Sequence, residues 1–238
     1  MDFHEFSSVE VAAVKSQFPK LGYISTGVWK GALEFDRVYR DYRIIDNYEI
    51  SIAVPATYPD RLPHVSELGG RVVAAAKKHS KDVLDAHWSS QNGACLCVKQ
   101  EEKIKFPSGS DMVFFIENLV IPYFYGLSYF EEYGRWPWRE YSHGCLGLLE
   151  FHAEDVADKT AEMIQELAVS FRNDAKWEKY RDHLLKPKPK RLCPCGSGKT
   201  FPDCHRGAWN GLIALRGDLR LLNLDAHKLF SRERTRVM

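Results

Sequence analysis

The chain has 238 residues, of which 45% are hydrophobic and 27% are charged, and its formal net charge is +1. This composition is that of a globular protein with enough apolar residues for a core. The near-neutral charge creates no strong field for attracting nucleic acid or a membrane, so we expect neither as a partner. The acidic start, MDFHEFSSVE, lacks the basic and apolar segments of a signal peptide, which predicts a cytoplasmic protein.

The first half of the chain predicts one helix followed by strands. FSSVEVAAVKSQF has the pattern of an amphipathic helix, with Ser7 or Ser8 as its N-cap. Large apolar residues roughly alternate in GVWKGALEFDRVYRDY, and apolar and other residues alternate from Tyr48 to Val54. Both segments are therefore predicted to be half-buried strands. RVVAAAKKHS is ambiguous, and GACLCV is predicted to be a strand or the end of one.

The longest apolar stretch, MVFFIENLVIPYFYGLSYF, covers residues 112–130. It is long enough to cross a bilayer, but Glu117, Asn118 and Pro122 interrupt it. We therefore predict a buried core helix that breaks near Pro122. A second helical pattern covers residues 154–183, and the order of helix, strands and helices predicts an α+β domain.

A change of composition marks a predicted boundary. The segment LLKPKPKRL alternates Lys and Pro, which favours an extended, solvated linker. We therefore assign residues 1–185 to the first domain and residues 186–192 to a linker.

The segment that follows the linker, CPCGSGKTFPDCH, has the residues of a zinc site. Cys193, Cys195, Cys204 and His205 supply three thiolates and an imidazole, a set that tetrahedral Zn²⁺ favours. GSGKT resembles the end of a phosphate-binding loop. That motif, however, requires a glycine where this chain has Cys193.

The same segment closely resembles the SEC-C zinc motif, in which the ligands correspond to these three cysteines and this histidine. The resemblance covers residues 193–206 and implies a bacterial protein with a binding module rather than an active site. Residues 207–238 form a predicted helical extension, which either packs on the motif or forms an interface.

Cys95 and Cys97 raise a separate question, because a C-x-C pair alone cannot chelate a metal fully. In a strand the two side chains would point to the same face. Upstream lies VPATYPDRLPHVSE, in which two prolines fix the backbone after a strand. His87 lies between this loop and the two cysteines.

Together these segments resemble the ubiquitin-conjugating (E2) fold, an antiparallel sheet flanked by helices. That family has a Tyr-Pro-x-x-Pro-Pro loop, a His-Pro-Asn segment and a catalytic cysteine followed by Leu. The corresponding residues here are Tyr58, Pro59, Leu62, Pro63, His87 and Cys95-Leu96. WPWREYSHGCLGLLEF fits the divergent bacterial members that are found in antiphage operons beside cyclic-oligonucleotide synthases.

The chain departs from this family at residues that bear on catalysis. HWS replaces His-Pro-Asn, so the asparagine that the family uses for positioning or for oxyanion stabilisation is missing. The transfer still requires a donor or a base near the cysteine. His143 is the candidate for that role, and its alternative is a residue that caps a turn at His143-Gly144. His87 is expected to brace the loop.

The resemblance implies an enzyme that carries a ubiquitin-like C-terminus as a cysteine thioester and passes it to a target amine. The modifier would be a ubiquitin-like protein or the tail of a partner such as a cyclic-nucleotide synthase. A separate enzyme would have to activate it, because this chain has no ATP site. The alternative is an inactive E2-like scaffold with a zinc module for protein recognition. A redox pair is the weakest hypothesis, because C-x-C is not C-x-x-C.

Two alignments compete for the nucleophile. Cys95-Leu96 matches the family's Cys-Leu run, whereas Cys97 matches the usual distance from the histidine. We favour Cys95, because the length of the intervening loop varies among divergent relatives, and we keep Cys97 as the alternative nucleophile.

Overall fold

A computed structural model of the protein describes residues 3–89, 93–154, 159–174 and 177–231. The chain forms two compact units, Met1–Arg139 and Glu140–Met238. This division lies earlier in the chain than the sequence pattern predicts, because residues 140–185 share an apolar core with the C-terminal segment.

The described part of the first unit combines one antiparallel sheet with helices. Its main elements in chain order are α1 (Ser8–Gln17), β1 (Leu21–Ser25), β2 (Val28–Tyr39), β3 (Tyr42–Ala53), β4 (His64–Glu67), α2 (Arg71–Lys78), α3 (Glu102–Lys105), α4 (Met112–Phe115) and α5 (Ile121–Tyr133). Short 3-10 turns cover Val83–Ala86 and Lys99–Glu101. The protein is therefore α+β, as predicted.

The four strands form an antiparallel meander in the order β1-β2-β3-β4. Partners across β2 and β3 include Trp29 with Ile52 and Leu33 with Tyr48, and all four are buried. Facing partners in an antiparallel pair share one side of the sheet, so these residues cover its inner face. The half-buried strands predicted from the alternating pattern are confirmed.

Local chemistry defines the start of α1. The Ser7 hydroxyl accepts a hydrogen bond from the Glu10 N–H at 3.3 Å, and the Glu10 carboxylate accepts one from the Ser7 N–H at 2.9 Å. This reciprocal capping box satisfies two of the free N–H groups at the helix start. Of the two predicted caps, Ser7 is the one the structure uses.

The predicted break at Pro122 is absent, and one helix runs from Met112 to Tyr133. A π-helical segment, Ile116–Val120, joins α4 to α5, and Pro122 lies in the first turn of α5. The wider turn lets the chain continue past a residue that has no N–H to donate. By length and composition this helix could cross a membrane, but 67% of its most apolar window is buried in the first unit.

The described part of the second unit is helical. Its elements are α6 (Cys145–His152), α7 (Ala161–Asn173), α8 (Trp177–Leu185), α9 (Phe201–Cys204), α10 (Arg206–Leu221) and α11 (Ala226–Leu229). The helical pattern predicted over residues 154–183 therefore corresponds to α7 and most of α8. Residues 155–158 and 175–176 of that pattern lie outside the described residues.

The C-terminal extension packs inside this unit, along α6. An added Cβ on Gly211 of α10 would lie only 1.7 Å from the carbonyl oxygen of Leu149 in α6, so the two backbones nearly touch. Leu212, Leu215 and Leu219 are buried in the core around this crossing. The described part of the extension, residues 207–231, therefore packs mainly on α6 rather than on the motif alone.

Candidate metal centre and cysteine loop

Four side chains converge at the start and end of the predicted zinc motif. The ligand atoms of Cys193, Cys195, Cys204 and His205 all lie within 4.8 Å of one another. The Cys193 sulfur lies 3.3 Å from His205 Nδ1, and the Cys195 and Cys204 sulfurs are 3.6 Å apart. Ligands about 2.3 Å from a tetrahedral ion are separated by roughly 3.7 Å, so this cluster could hold a metal ion.

The backbone between the two ligand pairs folds back on itself. Gly196 and Gly198 have φ values of 87° and 78°, which side chains rarely allow. The Cys193 N–H donates to the Lys199 carbonyl at 2.8 Å and closes the turn. This turn brings the first ligand pair to the second pair at the end of α9.

The four residues Cys193, Cys195, Cys204 and His205 are here called the metal cluster because they could hold an ion, and its three cysteines pack in or against the apolar core of the second unit. Phe201 is fully buried, and Cys193 is 4% exposed, in the same core as Leu149 and Phe171. The sequence is too short to form a core by itself, but here it uses the core of the second unit. We therefore expect the apolar core and the metal to stabilise this segment together.

Sequence reasoning missed a polar neighbour of the cluster. The Ser197 hydroxyl lies 3.0 Å from the Cys204 sulfur. Hydrogen bonds of this kind orient metal ligands and adjust their charge. The serine is visible in the CGSGK segment, but only the turn at Gly196 and Gly198 places it beside the second ligand pair.

Backbone hydrogen bonds hold the loop that carries Cys95. The Cys95 N–H donates to the His87 carbonyl at 2.8 Å, and the Ala94 N–H donates to the Val65 carbonyl of β4 at 2.8 Å. Ala94 also forms a bridge with Trp88. The segment GACLCV therefore forms a single β-bridge at the sheet edge rather than a full strand. These hydrogen bonds fix the position of Cys95.

The two cysteines of this loop differ in access. Cys95 is exposed, whereas Cys97 is half-buried and packs against the core. Although Cys95 is exposed, the surrounding loop partly desolvates its thiol, which raises the pKa above its ordinary value. Burial, with smaller contributions from Glu102 and Glu101, raises the pKa of Cys97 to about 12. Cys97 is therefore the less reactive thiol of the two.

The His87 carbonyl accepts a hydrogen bond from the Cys95 loop, and the His87 ring packs edge-on against Trp136. The residue has a left-handed conformation with φ 49°, and the His87 and Trp136 ring centres are 4.7 Å apart. The Trp136 indole N–H donates to the Asp85 carbonyl at 2.9 Å, and the Tyr123 hydroxyl donates to the Ala86 carbonyl at 3.0 Å. These contacts hold the backbone on both sides of Ala86, and the bracing role of His87 stays a prediction.

His143 lies in the second unit, whereas His87 and both candidate nucleophiles lie in the first. It is exposed and immediately precedes Gly144, the N-cap of α6, which has a φ of 63°. This position fits the turn-capping alternative for His143.

A histidine that the sequence reasoning passed over lies beside the Cys95 loop. His64 is an exposed residue of β4, and a Cβ on Gly93 would lie 2.1 Å from its ring carbon Cε1. Gly93, which lies two residues before Cys95, has no side chain and so leaves room for the His64 imidazole. In the sequence, the feature that could have identified His64 is its position directly after Pro63.

No family model, no curated protein and no solved structure matches this chain. The resemblances to the SEC-C motif and to the ubiquitin-conjugating fold therefore depend on the residues quoted above. The functions that they imply are proposals.

Proposed function

We propose that the first unit is an E2-like acyl carrier and that Cys95 is its acceptor. The observation that carries the proposal is an exposed cysteine on a loop fixed to the edge of a four-stranded antiparallel meander. A helix, α1, precedes that meander, and the Tyr58-Pro59 loop follows β3, which is the order of elements the family resemblance implies.

The proposed reaction is a transfer between thioesters. The Cys95 sulfur attacks the carbonyl carbon of a ubiquitin-like C-terminus that is bound as a thioester to a separate activating enzyme. The new S–C bond forms as the old S–C bond breaks, and the departing thiolate takes up the proton that Cys95 loses. A target amine then attacks the same carbon, forms an amide and releases the Cys95 thiol.

The raised pKa of Cys95 means that its attack requires a base, which the activating enzyme would have to supply. An ordinary thiol is already mostly protonated at neutral pH, and desolvation raises the pKa of Cys95 further. Proton removal must therefore accompany the attack, and the departing thiolate of the activating enzyme is a base for that step. This assignment does not require a histidine from the second unit.

The family resemblance supports the biological setting that we propose. The modifier is a ubiquitin-like protein or the ubiquitin-like tail of a partner, such as a cyclic-oligonucleotide synthase in a bacterial antiphage operon. The protein works in the cytoplasm, and its targets are proteins with accessible amines.

The second candidate function is an inactive scaffold. The sequence departure HWS, which lacks the family's asparagine, and the raised pKa of both loop thiols favour it. A scaffold would bind the activating enzyme without accepting the acyl group.

Reconstitution with the activating enzyme and modifier separates these functions. We expect a modified band that reducing agent removes. Cys95→Ala should abolish this band and Cys97→Ala should leave most of it. The reverse pattern moves the acceptor to Cys97. Binding of the activating enzyme without any reducible band supports the scaffold.

We further propose that the metal is Zn²⁺, because three thiolates and one imidazole form a set that zinc favours. Metal analysis should find one zinc per chain, lost in Cys204→Ala and retained in Cys97→Ala, which removes a cysteine outside the cluster. Zinc retained in Cys204→Ala would refute the site. The metal-free variant should lose protection in the second unit, while the first unit stays folded.

A further inference from the structure

A cavity of about 380 Å³ lies between α8 and the segment that leads into the metal cluster. Its lining includes Lys179, Asp182 and His183 from α8, and Arg191 and Cys193 from the following segment. Cys193 is the only one of the four metal-cluster residues in this lining. The cavity is therefore next to the metal cluster but separate from the space between its ligands.

Two residues of the cavity lining each have a buried nitrogen that lacks a partner among the described residues. These nitrogens are Nδ1 of His183 and Nη1 of Arg191. His183 is only 3% exposed, so its ring is held within the protein. Buried polar atoms in folded proteins are almost always hydrogen-bonded, and a guanidinium is a donor that requires an acceptor. The unpaired nitrogen of Arg191 therefore points to a bound group that supplies an acceptor, whereas a neutral imidazole nitrogen can either donate or accept.

The charges of the residues that line the cavity indicate which kind of ligand it would bind. Arg191 and Lys179 are cations, and Asp182 is the one carboxylate among the lining residues. Burial, and then the neighbouring Arg191, lower the pKa of His183, so its neutral form is favoured at physiological pH. A metal cation is disfavoured beside two cationic side chains, whereas an oxyanion can accept hydrogen bonds from a guanidinium and an ammonium.

We propose that this cavity binds the phosphate group of a small ligand, with Arg191 as its principal contact and Lys179 at the rim. Phosphate offers more acceptor oxygens than a carboxylate, and the Arg191 guanidinium and the Lys179 ammonium are both donors in the lining. The cavity is larger than an ion alone requires, so a phosphomonoester with a small organic portion fits its volume. This site is independent of the acyl transfer proposed for Cys95.

Calorimetric titration of the zinc-loaded full chain tests the site. The probes are inorganic phosphate, a ribonucleoside 5′-monophosphate and acetate at matched ionic strength. We expect both phosphate probes to bind and acetate to bind at least several-fold more weakly. Tighter binding of the monophosphate identifies an organic phosphate as the source, and equal binding identifies free phosphate. Zinc content measured before and after each titration excludes metal loss as the source of the heat.

Matched variants locate the binding. Arg191→Met should weaken phosphate binding about tenfold, as expected for one lost charge-assisted hydrogen bond. Lys190→Met removes the same charge from the neighbouring exposed residue and should leave binding within about twofold, as a screened surface charge does. Lys179→Met alters only the exposed rim and should also weaken binding.

Three results would overturn the proposal. The first is the absence of phosphate binding to the folded, zinc-loaded chain. The second is acetate binding as tightly as phosphate. The third is an equal effect of Lys190→Met and Lys179→Met on phosphate binding. That result would mean that general surface charge, and not the cavity, attracts the phosphate.

Discussion

The close crossing of α6 and α10 gives the most sharply defined stability prediction, the substitution Gly211→Ala. The added Cβ would lie 1.7 Å from the Leu149 carbonyl oxygen and 2.5 Å from its carbonyl carbon. Both atoms belong to the backbone of a buried helix residue, so no side-chain rotation can relieve the clash. The two helices would have to move apart by more than about 1 Å, which loses contacts throughout a close-packed core.

The expected cost follows from these contacts. Overpacking a core costs about 1–3 kcal/mol, and a clash with rigid backbone belongs at the upper end of that range. The better helix propensity of alanine offsets up to about 1 kcal/mol. We therefore expect Gly211→Ala to destabilise the second unit by about 2–3 kcal/mol.

Hydrogen exchange measured on peptides from α6 and α10 is the assay, because it reports the second unit separately from the first. Gly217→Ala is the matched control, since Gly217 is in the same helix and no atom lies within 4 Å of its added Cβ. It should be neutral or stabilising by up to about 1 kcal/mol. If both variants exchange alike, the helices do not cross at Gly211 and the packing described here is wrong.

Two further predictions concern the first unit. Arg71→Met should destabilise it by about 2–3 kcal/mol in urea unfolding, because two partly buried carboxylates, Asp46 and Glu131, lose their partner. Arg43→Met, which breaks an exposed ion pair, is the control and should change little; an equal effect would contradict the assignment. In alkylation of the native chain, Cys95 should react far faster than any buried thiol, with a rate still rising above pH 9.0 because its pKa is raised. Rapid modification only after unfolding would contradict this.

The sequence predicts those parts of the fold that depend on local chemistry. The alternation from Tyr48 to Val54 identifies the buried face of β3, because strand side chains alternate between faces. Ser7 and Glu10 define the start of α1 through bonds within one turn. The four metal-cluster residues are identified by type and spacing, because a tight glycine turn is enough to bring them together.

Features that depend on distant contacts are not predictable in this way. Pro122 normally ends a helix, but a π-helical turn and the surrounding apolar core keep this helix continuous. The boundary between the units lies at residue 139 rather than 185, because α6, α7 and α8 pack with α10. The cavity at His183 and Arg191 likewise combines residues from two segments, whose approach no local pattern encodes.

Intact mass spectrometry of the full chain, isolated from its native host without reducing agent, shows whether Cys95 carries an acyl group. If Cys95 carries a thioester, the wild-type chain has an added mass that thiol reductant releases. Cys95→Ser should carry the same mass as an ester that resists thiol reductant, because serine forms an oxygen ester instead of a thioester. Cys95→Ala should carry none. An adduct that persists unchanged in Cys95→Ala would contradict the account.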